Sequence, residues 1–128
     1  MMNITLWIVQ VILAAMFGLA GVMKTTTPID QLAAQMVWPG AIPPMLVRFI
    51  GAAELTAAIG LILPSLMRIR PVLTPLAATG VVTIMALAIP FHISRGELQA
   101  LAVNVPLGAM AAFVAWGRFR KAPIAPRT

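Results

Sequence analysis

Glu54 is an acid set in the middle of an apolar run, residues 45–63, and its position constrains its chemistry tightly. A carboxylate surrounded by hydrocarbon costs on the order of a few kcal/mol unless it is protonated, paired or hydrated. It can therefore act as a proton acceptor or as the anchor of a ligand, and it can equally be a structural ion pair that clasps two helices. Lys24, Arg48 and His92 are the candidate partners, each near the end of an apolar run, and Asn104 adds an amide inside another. His92 can take or give a proton near neutral pH, although a histidine at the edge of an apolar run needs no such role. Asn104, with Gly108 and Ala111 near its helical face, reads first as an interhelical hydrogen-bonding residue and second as a ligand contact.

Several other chemistries are excluded by residue type. The sequence has no cysteine, so disulfides, thiolate metal sites, iron–sulfur ligation and dithiol redox chemistry by this chain are ruled out. One His and one Glu, without histidines at helical spacing, make a poor metal site, and no metal is expected. The methionines are scattered and not paired, which fits apolar packing and not copper handling. No glycine-rich phosphate loop, nucleophile elbow or paired-carboxylate motif is present. The net charge of +6 does not point to nucleic acid, because the basic residues sit in small groups at the ends of apolar runs and form no continuous face. Anionic lipid headgroups are the expected partners of those groups.

The elements that must position these residues follow from composition. Of 128 residues, 61% are hydrophobic and 9% charged, and the charges are confined to short stretches between long uncharged runs. A soluble domain keeps roughly a quarter of its residues charged, so the appropriate solvent here is a bilayer. Runs at 3–23, 45–63, 72–91 and 98–116 are long enough, at about 1.5 Å per residue, to cross a hydrocarbon core of roughly 30 Å. The expected fold is all-α: an integral membrane four-helix bundle over residues 1–117, followed by a basic cytoplasmic tail, 118–128.

Local signals refine this. The first run lacks a basic leader and a small-residue cleavage site, so it is expected to be a retained helix. Within it, Ala14, Gly18 and Gly21 form a small-residue stripe suited to close helix packing, and such stripes also favour a homodimer. A short amphipathic helix in the interface is expected between the first two spans: Thr27 is its candidate cap, Pro28 its first position, and Ile29, Leu32, Ala33, Met36 and Val37 its apolar face. Trp38-Pro39-Gly40 should stop it, with Trp38 at headgroup level. Pro64 and Pro90 are expected to end the second and third spans, and Pro106 to bend the fourth near Asn104.

Orientation follows from the basic residues. One end carries Arg68, Arg70, Arg118, Arg120, Lys121 and Arg127, the other Lys24, Arg48 and Arg95. The positive-inside bias places both termini in the cytoplasm and loops 24–44 and 92–97 outside. Lys24, Arg48, Glu54, His92 and Asn104 then converge on the outer half, as an outward-facing polar pocket, and the inner half is expected to hold almost nothing ionisable within the bilayer.

Trp38-Pro39-Gly40-Ala41-Ile42-Pro43-Pro44, then Arg48 to Leu55 with its Arg-x-x-Gly-x-x-Glu pattern, then Gly60-Leu61-Ile62-Leu63-Pro64, closely resemble the DoxX-like family. The resemblance continues through Leu73 to Gly80, His92 with Arg95-Gly96-Glu97, Asn104 and Arg118. It implies a four-helix membrane bundle with polar residues at Lys24, Glu54, His92 and Asn104. Relatives are linked to a thiosulfate:quinone oxidoreductase subunit, to membrane redox complexes and to cargo handling. The expectation is thus an accessory subunit of a redox or quinone-linked system in the inner membrane, not a catalyst on its own, with a membrane oxidoreductase as partner and a quinone as candidate cofactor. Two alternatives stand beside it: a proton-coupled small-molecule transporter, and an assembly factor without a small ligand.

Overall fold

Each long apolar run folds as a helix because, in hydrocarbon, only a helix satisfies every backbone N–H and C=O within the segment itself. The computed structural model describes residues 1–127, so the last residue of the expected tail lies outside it. Its helices are α1 (Met2–Thr26), α2 (Ile29–Met36), α3 (Pro44–Met67), α4 (Leu73–Ser94) and α5 (Leu98–Trp116). Four helices are long and apolar enough to cross a membrane: α1, α3, α4 and the helix from Leu98 to Lys121. The protein is therefore an all-α four-span bundle with one short helix between the first two spans.

The bundle packs α1 on α3, α3 on α4 and α4 on α5, around Leu6, Leu13, Phe17, Leu61, Val81 and Val114. Its outer surface is apolar too: Ile4, Leu19, Phe49, Ile59 and Leu87 are all exposed. A core and a rind of similar polarity are what a protein solvated by acyl chains requires. Association within the bundle must then come from close packing and from polar clasps.

The closest packing is between α1 and α3. A Cβ built on Gly51 would lie 2.7 Å from the Lys24 Cβ, and one built on Gly21 would lie 2.8 Å from the Gly51 carbonyl oxygen. Real side chains do not approach so closely, so glycine at both positions is what lets the two backbones touch. Lys24 and Glu54 each follow their glycine by one helical turn, and that crossing delivers them to each other.

Pro64 does not end the second span. It lies inside α3, which continues to Met67. A proline there removes the N–H that would bond the Gly60 carbonyl, and the Thr74 hydroxyl donates to that oxygen instead, at 2.9 Å. Ser65 donates in turn to the Thr74 oxygen, at 2.7 Å, and the Gln10 amide reaches the Leu61 carbonyl at 2.6 Å. With its acceptors met by other helices, the proline no longer costs the helix its last turn. Pro90 likewise lies inside α4, which runs on to Ser94.

Two local expectations change as well. Thr27 does not cap α2: its N–H closes α1 on the Met23 carbonyl, and Pro28, with no N–H to lose, sits before the first helical residue. Val37 leaves the apolar face of α2 and is exposed, because its φ of 69° breaks the helix there. A β-branched residue at positive φ is unusual. Here it turns the chain so that the 3₁₀ turn Trp38–Gly40 lays the Trp38 ring against Phe91 and His92.

At the other end, the basic segment does not begin as a solvated tail. The chain continues beyond α5 as a π-helical turn, Gly117–Lys121, and Arg118 is 4% exposed. Its Nε donates to Gln10 Oε1 at 2.6 Å and its Nη1 to Asn3 Oδ1 at 2.7 Å, which ties the end of the chain to the first helix. The half of the bundle opposite Glu54 thus contains a buried guanidinium, where almost nothing ionisable was expected. The wider turn of the π segment re-aims this one side chain toward the interior.

Candidate functional site

Glu54 is 2% exposed and its Oε1 accepts from Lys24 Nζ at 2.7 Å. The pair borders a cavity of about 200 Å³ whose wall also includes Trp38, His92 and Asn104. Four of the five candidate residues from the sequence therefore share one space: Lys24 from α1, Glu54 from α3, His92 from α4 and Asn104 from α5. Every spanning helix contributes one polar side chain.

Arg48 is the exception. It borders none of this cavity; its Nη1 donates to the carbonyls of Lys24 and Thr27, at 3.0 and 2.7 Å. Those are among the carbonyls that a helix C-terminus leaves without intrahelical donors, so Arg48 closes the end of α1. By fixing the backbone at Lys24 it positions the residue that reaches Glu54, without touching the carboxylate itself.

His92 lines the cavity but its hydrogen bond points outward, from Nδ1 to Glu97 Oε1 at 3.0 Å. The same oxygen accepts from Arg95 Nε at 3.1 Å. Hydrogen bonds from His92 first and Arg95 second hold the Glu97 carboxyl below its ordinary range. An ionised carboxylate can only accept, so Nδ1 carries a proton in this contact and Nε2 is the ring nitrogen left uncommitted. Glu97 thereby sets which face of the histidine chemistry can use.

Trp38 is the residue that sequence reasoning did not place. Expected as an interfacial anchor, its ring lies 5.3 Å from the Lys24 ammonium and packs edge-on to Phe91 and His92. A cation over an indole face is attracted by the ring quadrupole, so Trp38 both covers the cavity and shields its charge. The Trp-Pro-Gly motif was visible, but nothing in its spacing told which way the ring would turn.

A second, apolar cavity of about 280 Å³ lies beside the first. Its own wall includes Ile42, Leu46, Ile50 and Leu87, and it shares Trp38, Ile84, Ala88 and His92 with the polar one. Exposed Leu46 and Leu87 put this groove on the lipid-facing surface between α3 and α4. Together the two spaces can accept a molecule with a small hydrogen-bonding head and an apolar body.

Comparison with curated proteins and with solved structures finds no match. A family model does match, over residues 8–114, a stretch that begins within α1, ends within α5 and contains all the residues of this cavity. The resemblance read from the motifs is thereby upheld, and the chain belongs to the DoxX-like family.

Proposed function

We propose that the protein is an accessory subunit of a membrane redox system and that the space around Glu54 receives the head of a quinone-class ligand. In this reading it sits in the inner membrane with both termini cytoplasmic, so the cavity opens on the outer half. The supporting observation is the wall of Trp38, Ile84, Ala88 and His92, common to a polar cavity holding a buried ion pair and to an apolar groove facing lipid. A helix bundle held together by packing alone would not need a charge pair at depth, where it is costly.

The donor set suits such a head. The carbonyl oxygens of a quinone ring accept hydrogen bonds, and Lys24 Nζ and the Asn104 amide are donors on the cavity wall. Glu54 fixes the position of that ammonium, and the groove beside Leu46 and Leu87 accommodates an isoprenoid-like tail. A bound quinone would supply the electron carrier that a cysteine-free chain lacks in its own side chains.

Binding of a short-tailed quinone analogue to protein in lipid nanodiscs, followed by thermal stability, tests this. Lys24→Met alone should destabilise the fold by about 3–5 kcal/mol, because it leaves a buried carboxylate unpaired. The double variant Lys24→Met with Glu54→Gln removes both charges and should restore most of that stability. It should nevertheless bind the analogue at least tenfold more weakly than wild type. Undiminished binding in the well-folded double variant would refute the role given to the pair.

A further inference from the structure

Arg118 is a buried cation whose partners are all neutral. Its Nε and Nη1 donate to Gln10, Asn3 and the Ala122 carbonyl, and its Nη2 is buried without a hydrogen-bond acceptor among the described residues. An enclosed guanidinium is tolerated when an anion meets it, and costly when none does. Among the described residues no acidic side chain supplies such an anion nearby. The chain's three acidic residues are Asp30, Glu54 and Glu97, all toward the opposite end, and Glu54 and Glu97 are already engaged by Lys24, His92 and Arg95.

Beside Arg118 lies a cavity of about 410 Å³, within the roughly 300–1,000 Å³ typical of small-ligand sites. Arg70, from the turn between α3 and α4, borders it as well. One side of it is the strap of Pro123, Ile124 and Pro126, and the rest includes Ser65 and Pro71 to Leu73. That strap is held to the turn by the Arg127 N–H on the Arg68 carbonyl, at 2.9 Å, and by Arg68 Nε on the Ala125 carbonyl, at 2.9 Å. The charged side chains on the cavity wall are thus two arginines, and Arg68, Arg120, Lys121 and Arg127 stand in the adjoining segments with no Asp or Glu among them.

We propose that this cavity is a binding site for a phosphate-type anion, met in the membrane as the headgroup of an anionic phospholipid. Guanidinium groups donate strongly to phosphate oxygens: the free Nη2 of Arg118 can give a single hydrogen bond, and the Arg70 guanidinium at the rim can add a two-pronged pair. The site lies where the spans end, which is the depth of headgroup phosphates, and the cytoplasmic leaflet is the one enriched in anionic lipid. Since Nη2 is closed off from water, binding entails a small displacement of the strap. This site shares no residue with the cavity around Glu54 and does not depend on what that cavity holds.

The test places the protein in nanodiscs of phosphatidylcholine alone or with phosphatidylglycerol, and reads thermal stability together with the lipid retained in native mass spectrometry. Wild type should be stabilised by phosphatidylglycerol and retain one molecule per chain. Arg70→Gln, at an exposed position, should reduce retention at least fivefold, whereas Arg120→Gln, which changes the same charge away from the cavity, should not. Arg118→Gln should abolish retention; should it fail to fold, the Arg70 and Arg120 pair decides the matter. Inorganic phosphate titrated into phosphatidylcholine discs separates the sources: stabilisation there, lost in Arg70→Gln, assigns the site to free phosphate. No response to either anion, or equal loss in Arg70→Gln and Arg120→Gln, overturns the proposal.

Discussion

Glu97 gathers two donors on one oxygen, His92 Nδ1 and Arg95 Nε, and so couples the turn before α5 to a ring on the cavity wall. Its carboxyl is held below the ordinary value of 4.5, chiefly by the hydrogen bond from His92. A group whose folded-state value is depressed adds stability that is present above its unfolded value and disappears as pH falls through the folded one. Thermal unfolding at a series of pH values should therefore show stability declining on acidification below about pH 4.5, with a shallower decline in Glu97→Gln. Asp30 and Glu54 are common to both proteins, so the difference between the two curves isolates Glu97. Superimposable acid limbs would show that the His92 contact contributes nothing. At this scale the sequence was informative about types and poor about pairs. Lys24, Glu54, His92 and Asn104 could be brought together because each falls at a countable depth in a straight helix. Arg48, expected in the same pocket, and Arg118, expected in the tail, lie elsewhere, since an arginine reaches far enough to choose between a carboxylate, a carbonyl and an amide, and only packing decides.

Between elements, the contact of α1 with α3 governs the ion pair. Gly21 and Gly51 permit backbone contact, and Lys24 and Glu54 ride one turn beyond them. Gly51→Ala would put a methyl group 2.7 Å from the Lys24 Cβ, so the helices must part by a fraction of an ångström or more. Overpacking of this kind typically costs about 1–3 kcal/mol. The loss should be accompanied by a longer Lys24–Glu54 separation, seen as a shifted carboxylate band in infrared difference spectra against Glu54→Gln. An unchanged band with unchanged stability would mean that the crossing is looser than the glycines suggest. The stripe Ala14, Gly18 and Gly21 announced close packing without naming the partner helix, because small residues specify what may approach and not what does. Span existence was legible for a simpler reason: an uncharged run of that length has few alternatives. The ends were less so, since Pro64 ends a helix only if the carbonyl it orphans stays orphaned, and its rescue by Thr74 involves a residue from the next helix.

For the molecule as a whole, charge is sorted by end. Asp30, Glu54 and Glu97 accompany Lys24, Arg48 and Arg95 at one end, where most charges are paired or capped, while the other end holds Arg68, Arg70, Arg118, Arg120, Lys121 and Arg127 without an acid. Moving arginine and lysine across a bilayer during insertion is opposed, and the side with more of them near the span ends stays in the cytoplasm. A sequence without cysteine offers a clean readout of this, because any introduced thiol is the single one. Ala41, between α2 and α3, and Ile69, between α3 and α4, are both exposed and lie at opposite ends of α3. In intact spheroplasts, a membrane-impermeant maleimide should label Ala41→Cys nearly completely and leave Ile69→Cys almost untouched until the membrane is opened. The reverse pattern would turn the bundle over, and the Glu54 cavity would then face the cytoplasm. It would also bring the basic end to the leaflet poorer in anionic lipid, whereas phosphatidylglycerol retention in nanodiscs, where both leaflets carry that lipid, would be unchanged.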